Sequence, residues 1–90
     1  MVESALAEIA SRLLDEKAAV WLKGRPAPGR DPDEWRLDLL GNLIRFGDYG
    51  DRRSHYGWEI HRRRGSVFDG DDRFTDKAPL HWRANAMLGL

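Results

Sequence analysis

Cysteine is absent from the 90 residues, which excludes disulfides, thiolate zinc sites and cysteine nucleophiles together. Any metal must therefore be bound by His, Asn, Asp or Glu. Long apolar runs are also missing. None approaches the roughly 20 residues needed to span a bilayer, and the N-terminus is an acidic amphipathic stretch, not a basic segment leading into an apolar one. The expectation is a cytoplasmic protein with no membrane partner. Net charge is zero, fifteen Lys and Arg balancing fifteen Asp and Glu, so no global field argues for a polyanionic partner. Nor is there length for a second core. A single small domain without covalent staples is marginally stable, so a bound metal or a partner chain would matter to its folding.

What is present is the composition of a folded chain with a modest core: 41% hydrophobic and four tryptophans, but 33% charged. The charge is segregated. Twelve of the fifteen basic residues are Arg, whose guanidinium forks onto phosphate oxygens. Five arginines (52, 53, 62, 63 and 64) stand against one glutamate between Arg52 and Arg64, whereas four aspartates stand against one arginine between Asp69 and Asp76. Two readings follow: a phosphate-facing strip beside a metal-facing loop, or two solvated segments that neutralise each other.

Residues 3–23 place Leu6, Ile9, Leu13, Val20 and Trp21 at helical spacing, with Gly24 as the expected C-cap and Pro26 as a stop. Residues 25–34 are a Pro- and Gly-rich arm that must wrap back over the core. In "WRLDLLGNLIRF", apolar and charged residues alternate on both sides of Gly41-Asn42, which predicts a hairpin in a hairpin-and-turn region spanning 35–56. "WEIH" and, more weakly, "SVF" read as strands, and "DGDDRFTDKA" as a loop. A short helix is expected from Pro79, with Leu80, Ala84, Met87 and Leu88 sharing an inward face. The order helix, hairpin, strand–loop–helix makes the class α+β.

Within that order, several pieces resemble the small bacterial and phage HNH endonucleases of the His-Me finger class. Val20-Trp21-Leu22-Lys23-Gly24 matches the family's "VW.KG". Arg36-Leu37-Asp38, Gly41, Ile44 and Asp48-Tyr49-Gly50 match "R.D..G..I...DYG". Tyr56 to Ile60 matches the start of "YGWEIDH", and Pro79-Leu80-His81-Trp82 with Asn85 matches "PLHW.NN". The resemblance spans about residues 20–89; "YGWEI" and "PLHW" are its specific parts. It implies an N-terminal helix packed on a ββα finger over 57–90. The finger would hold one divalent cation, and a histidine on its first strand would activate water against a phosphodiester.

The chain departs from that pattern at informative places. After "YGWEI" the family has Asp-His, a metal ligand and then the base; here stand His61 and Arg62. A gapless alignment puts His61 in the ligand position and Arg62 in the base position, where a guanidinium cannot act because it does not become neutral near pH 7. Shifting by one residue would make His61 the base, but would leave Ile60 as ligand and turn the strand over. Asp76 replaces the Asn that structures the loop. The metal set implied by the resemblance is His61, His81 and Asn85, suited to Mg, Mn, Ni or Zn; His81 and Asn85, four apart, are expected on one helical face. Arg52, Arg53, Arg62, Arg63 and Arg64 are the candidate phosphate contacts, and His55 is a candidate substitute base.

Three functions are compatible with this reading. One is a divergent HNH-like pseudoenzyme that binds DNA or RNA backbone, with or without a divalent metal, and has lost most cleavage. Another is a working nuclease that uses His55 or a metal-bound hydroxide. The last is a protein-interaction or inhibitor module on the same scaffold, with a protein partner or a second copy of itself. No organic cofactor is expected.

Overall fold

A computed structural model describes residues 16–62 and 77–88. Residues 1–15, where the first helix is expected to begin, and residues 63–76, with the "SVF" segment, Arg63, Arg64, the expected loop and Asp76, lie outside the described residues. The described elements are α1 (16–21), β1 (Arg25–Pro26), β2 (Trp35–Leu37), β3 (Leu43–Arg45), a 3-10 turn (Phe46–Asp48), β4 (Trp58–Arg62), β5 (Lys77–His81) and α2 (Trp82–Leu88). Strands β1–β2–β3 form one antiparallel sheet and β4–β5 a second. The class is α+β.

Aromatic residues hold these pieces together. Val20 and Trp21 at the end of α1 are buried with Ile44 of β3 and Trp58 of β4, and Phe46 and Ile60 pack on that cluster. Trp58 is fully buried. Its ring lies 5.2 Å from that of Trp21 and 4.9 Å from that of Tyr49, the latter edge to face, as the quadrupoles of aromatic rings prefer. Both indole N–H groups in the cluster have partners: Trp21 donates to the Pro32 carbonyl at 3.0 Å and Trp58 to that of Phe46 at 3.3 Å. Truncating so large a buried ring costs about 3–5 kcal/mol, a large share of the stability of a domain this size.

The Pro- and Gly-rich arm does wrap back. Arg36 on β2 donates to the carbonyls of Gly24 and Pro32 at 2.9 and 3.0 Å, and Arg25-Pro26 pairs with Leu37 and Arg36. Gly24 does not cap the helix through a left-handed conformation. Its role is close approach: a Cβ there would lie 3.1 Å from the Leu37 carbonyl oxygen and 3.2 Å from the Arg36 Cβ.

The hairpin is present, with a five-residue turn, Asp38 to Asn42, in place of a two-residue one. Gly41 supplies the positive φ of 85°. Asp38 closes this turn and is 1% exposed. Its Oδ1 accepts the backbone N–H of Leu40 and Asn42 at 2.9 and 2.7 Å. Its Oδ2 accepts the Asn42 side-chain amide at 3.0 Å and the backbone N–H of His81 at 2.8 Å. One carboxylate thus fixes the turn and ties it to the end of β5, in the other sheet.

The C-terminal helix begins later than its sequence suggests. Lys77 and Ala78, expected in a loop, and Pro79, Leu80 and His81, expected in the helix, all pair with β4 as strand, from Arg62↔Lys77 to Trp58↔His81. A proline tolerates this place because a two-stranded sheet leaves its missing N–H facing no further strand. The inward face predicted for this helix is also corrected. Leu80 is buried, but from the strand, whereas Met87 and Leu88 are 75% and 57% exposed. Two strands with α2 following directly is the arrangement that carries the site.

Replacing Asp38 by Ala strands three backbone N–H groups in or near the interior. It should lower stability by about 2–4 kcal/mol, read from urea unfolding followed by tryptophan fluorescence. A midpoint unchanged from wild type would contradict this role.

Candidate functional site

β4 alternates its side chains across the sheet. Trp58 and Ile60 face the aromatic cluster, so Glu59 and His61 face the other way, towards α2. Asn85 on α2 meets both. Its amide Nδ2 donates to Glu59 Oε1 at 2.9 Å, and its Oδ1 lies 2.9 Å from His61 Nδ1. Glu59 is held in turn by Arg52, whose Nε and Nη2 donate to its two oxygens at 2.8 and 3.0 Å. The outcome is a continuous chain, Arg52–Glu59–Asn85–His61, running along one face of the strand–strand–helix unit.

Hydrogen bonding from Arg52 holds the Glu59 carboxyl below the usual glutamate range. Partial burial pushes the other way, while the Asn85 amide and the Arg52 charge add to the lowering. Glu59 is therefore ionised near neutral pH and can only accept hydrogen bonds.

The other predicted residues gather elsewhere. His81 is the last residue of β5 and precedes the helix, so it shares no helical face with Asn85. Both of its ring nitrogens bond to backbone: Nε2 with the His55 carbonyl at 2.8 Å, and Nδ1 with the N–H of Arg83 at 3.1 Å. Because Nδ1 must accept, the proton is on Nε2, which donates to His55. His55, His81 and Arg83 line an open cavity of about 470 Å³ together with Asn42, Leu43, Tyr56, Ala84 and Met87. Trp82 braces the 54–57 loop that forms one wall, through its indole bond to the Ser54 carbonyl and its backbone bond to that of Gly57. Gly57 has no alternative, since a Cβ there would overlap the Asp51 carbonyl oxygen.

The metal set thus divides. His61 and Asn85 come together but spend their facing atoms on each other, and His81 spends both nitrogens on backbone. These donors do not fit a cation as they stand. Among the described residues no group of three or more His, Cys, Asp or Glu side chains is placed to hold a metal ion.

The arginines are placed in different ways. Arg52 is clamped on Glu59. Arg62, exposed at the end of β4, pairs with Glu16 at 3.2 Å, and the same Glu16 oxygen accepts from Lys77 at 3.0 Å. That lysine's hydrogen bond is the main reason the Glu16 carboxyl lies below its ordinary range. Arg53 and Arg83 have no acidic partner among the described residues, and Arg83 lies over the Trp82 ring at 5.1 Å.

Sequence reasoning missed Glu59. Its signal was the spacing Glu59-x-His61, which puts both side chains on one face of a strand.

Glu59's folded pKa is depressed, so its contribution to stability is present above the unfolded value and lost as pH falls through the folded one. Wild type should therefore exceed Glu59→Gln in urea midpoint at neutral pH, and the gap should close in acid. A gap independent of pH would contradict the Arg52–Glu59 clamp.

Comparison with family models, with curated proteins and with solved structures finds no match for this chain.

Proposed function

We propose that this chain is a divergent HNH-like protein that binds nucleic-acid backbone, with phosphodiester cleavage weak or lost. The observation that carries the reading is at the end of β4. Where the resemblance implies a metal ligand and a base, His61 is bonded to Asn85, and Arg62 is an exposed cation paired with Glu16. A guanidinium there cannot take a proton from water but can take a phosphate.

The order β4, β5, α2 supports a finger of the ββα kind. Arg53 and Arg83, without an acidic partner among the described residues, and the exposed Arg52 and Arg62, paired with Glu59 and Glu16, are the cations that would make the sequence-independent contacts by which proteins hold a phosphate backbone. A divalent cation, whether magnesium, manganese, nickel or zinc, would require His81 and Asn85 to release their present hydrogen bonds.

A second reading, a protein-interaction module, is favoured by one feature: Met87 and Leu88 stand exposed on α2. It predicts no nucleic-acid binding at moderate salt.

Fluorescence anisotropy with a short labelled duplex tests the choice. Affinity should fall with salt, and replacing Arg53 or Arg62 by Ala should weaken binding to all sequences alike and reduce the magnitude of the salt slope by about one per arginine removed. No binding at low salt would overturn the proposal.

A further inference from the structure

The hydrogen-bond chain around His61 has a definite polarity. Glu59 accepts from Arg52 on both oxygens and, being ionised, has nothing to donate. The Asn85 group facing it must therefore be the Nδ2 amide. That fixes the other end of the same amide: Oδ1, an acceptor only, faces His61 Nδ1 at 2.9 Å. The proton of the neutral imidazole must then sit on Nδ1, and its lone pair on Nε2. No hydrogen bond among the described residues uses Nε2, and His61 is only half-buried. A carboxylate orienting an imidazole so that its far nitrogen is a free base is a recurring device in acid–base catalysis; here the orientation passes through an amide.

Resting on the nucleic-acid reading, we propose that His61 Nε2 is a general base acting on RNA, with Glu59 and Asn85 as its positioning residues. RNA is the substrate class because one oriented base suffices for its cleavage. A ribose supplies its own nucleophile beside the phosphorus, already at high effective concentration. Nε2 takes the 2′-hydroxyl proton, O2′ bonds to phosphorus, and the phosphorus–O5′ bond breaks with its electron pair. The departing oxygen takes a proton from water, and His61 returns its own to solvent. The products are a 2′,3′-cyclic phosphate and a 5′-hydroxyl.

The test uses uridine 3′-(p-nitrophenyl phosphate) in EDTA, whose leaving group needs no acid. Phenolate release should exceed the buffer rate by about 10²–10⁴-fold, disappear in His61→Ala and fall in Asn85→Ala. Long-range ¹H–¹⁵N spectra of the wild-type histidines, which need no variant to fold, should show His61 protonated on Nδ1 when neutral, a preference that Asn85→Ala loses. Release no faster than buffer, release that survives His61→Ala, or a proton on Nε2 would each overturn the assignment. Duplex binding measured on the same samples reports separately on the nucleic-acid reading.

Discussion

The buried carboxylate of Asp38 is the constraint on which the rest of the structure depends. A charge with so little exposure is tolerated only because every lone pair finds a donor. Three of those donors lie within the turn that Asp38 itself begins, and the fourth is the backbone N–H of His81. The turn thereby anchors the last residue of β5. Where β5 ends decides where α2 starts, and the start of α2 sets which residue of that helix meets β4. A carboxylate more than forty residues earlier in the chain thus anchors the strand end from which α2 carries Asn85 to Glu59 and His61.

The aromatic cluster performs a complementary task. With Trp58 and Ile60 committed to Trp21 and Phe46, the alternation of the strand leaves Glu59 and His61 no choice of face. Packing on one side of β4 thus organises the polar chain on the other. The arm of residues 25–34 is held by Arg36 and Trp21, although its proline-rich composition alone suggests a linker.

Much of this was legible in the sequence. The end of the first helix, the hairpin across Gly41, the strand at "WEIH" and the α+β class follow from periodicity and turn chemistry. The start of the last helix does not, for a physical reason. Pro79 suits a first helical turn as well as the edge of a two-stranded sheet, and only pairing with Ile60 decides between them. Moving that boundary removes the helical argument for His81 beside Asn85 and sends the His81 ring to the His55 carbonyl. Nor does the sequence reveal that Asn85 would be spent on Glu59 and His61, since hydrogen-bond polarity is a property of a three-dimensional chain of partners.

In the proposed function, arginines flank a strand–strand–helix unit whose hydrogen-bonded chain orients one imidazole. The most direct test of that claim is a titration of ¹⁵N-labelled protein with a short nucleic-acid duplex at low salt, followed by amide and arginine side-chain shifts. The account predicts that the largest changes fall on Arg52, Arg53, Arg62 and Arg83 and spread to Glu59, His61 and Asn85. Changes confined to exposed Met87 and Leu88 at the end of α2, or no changes at all, would contradict it.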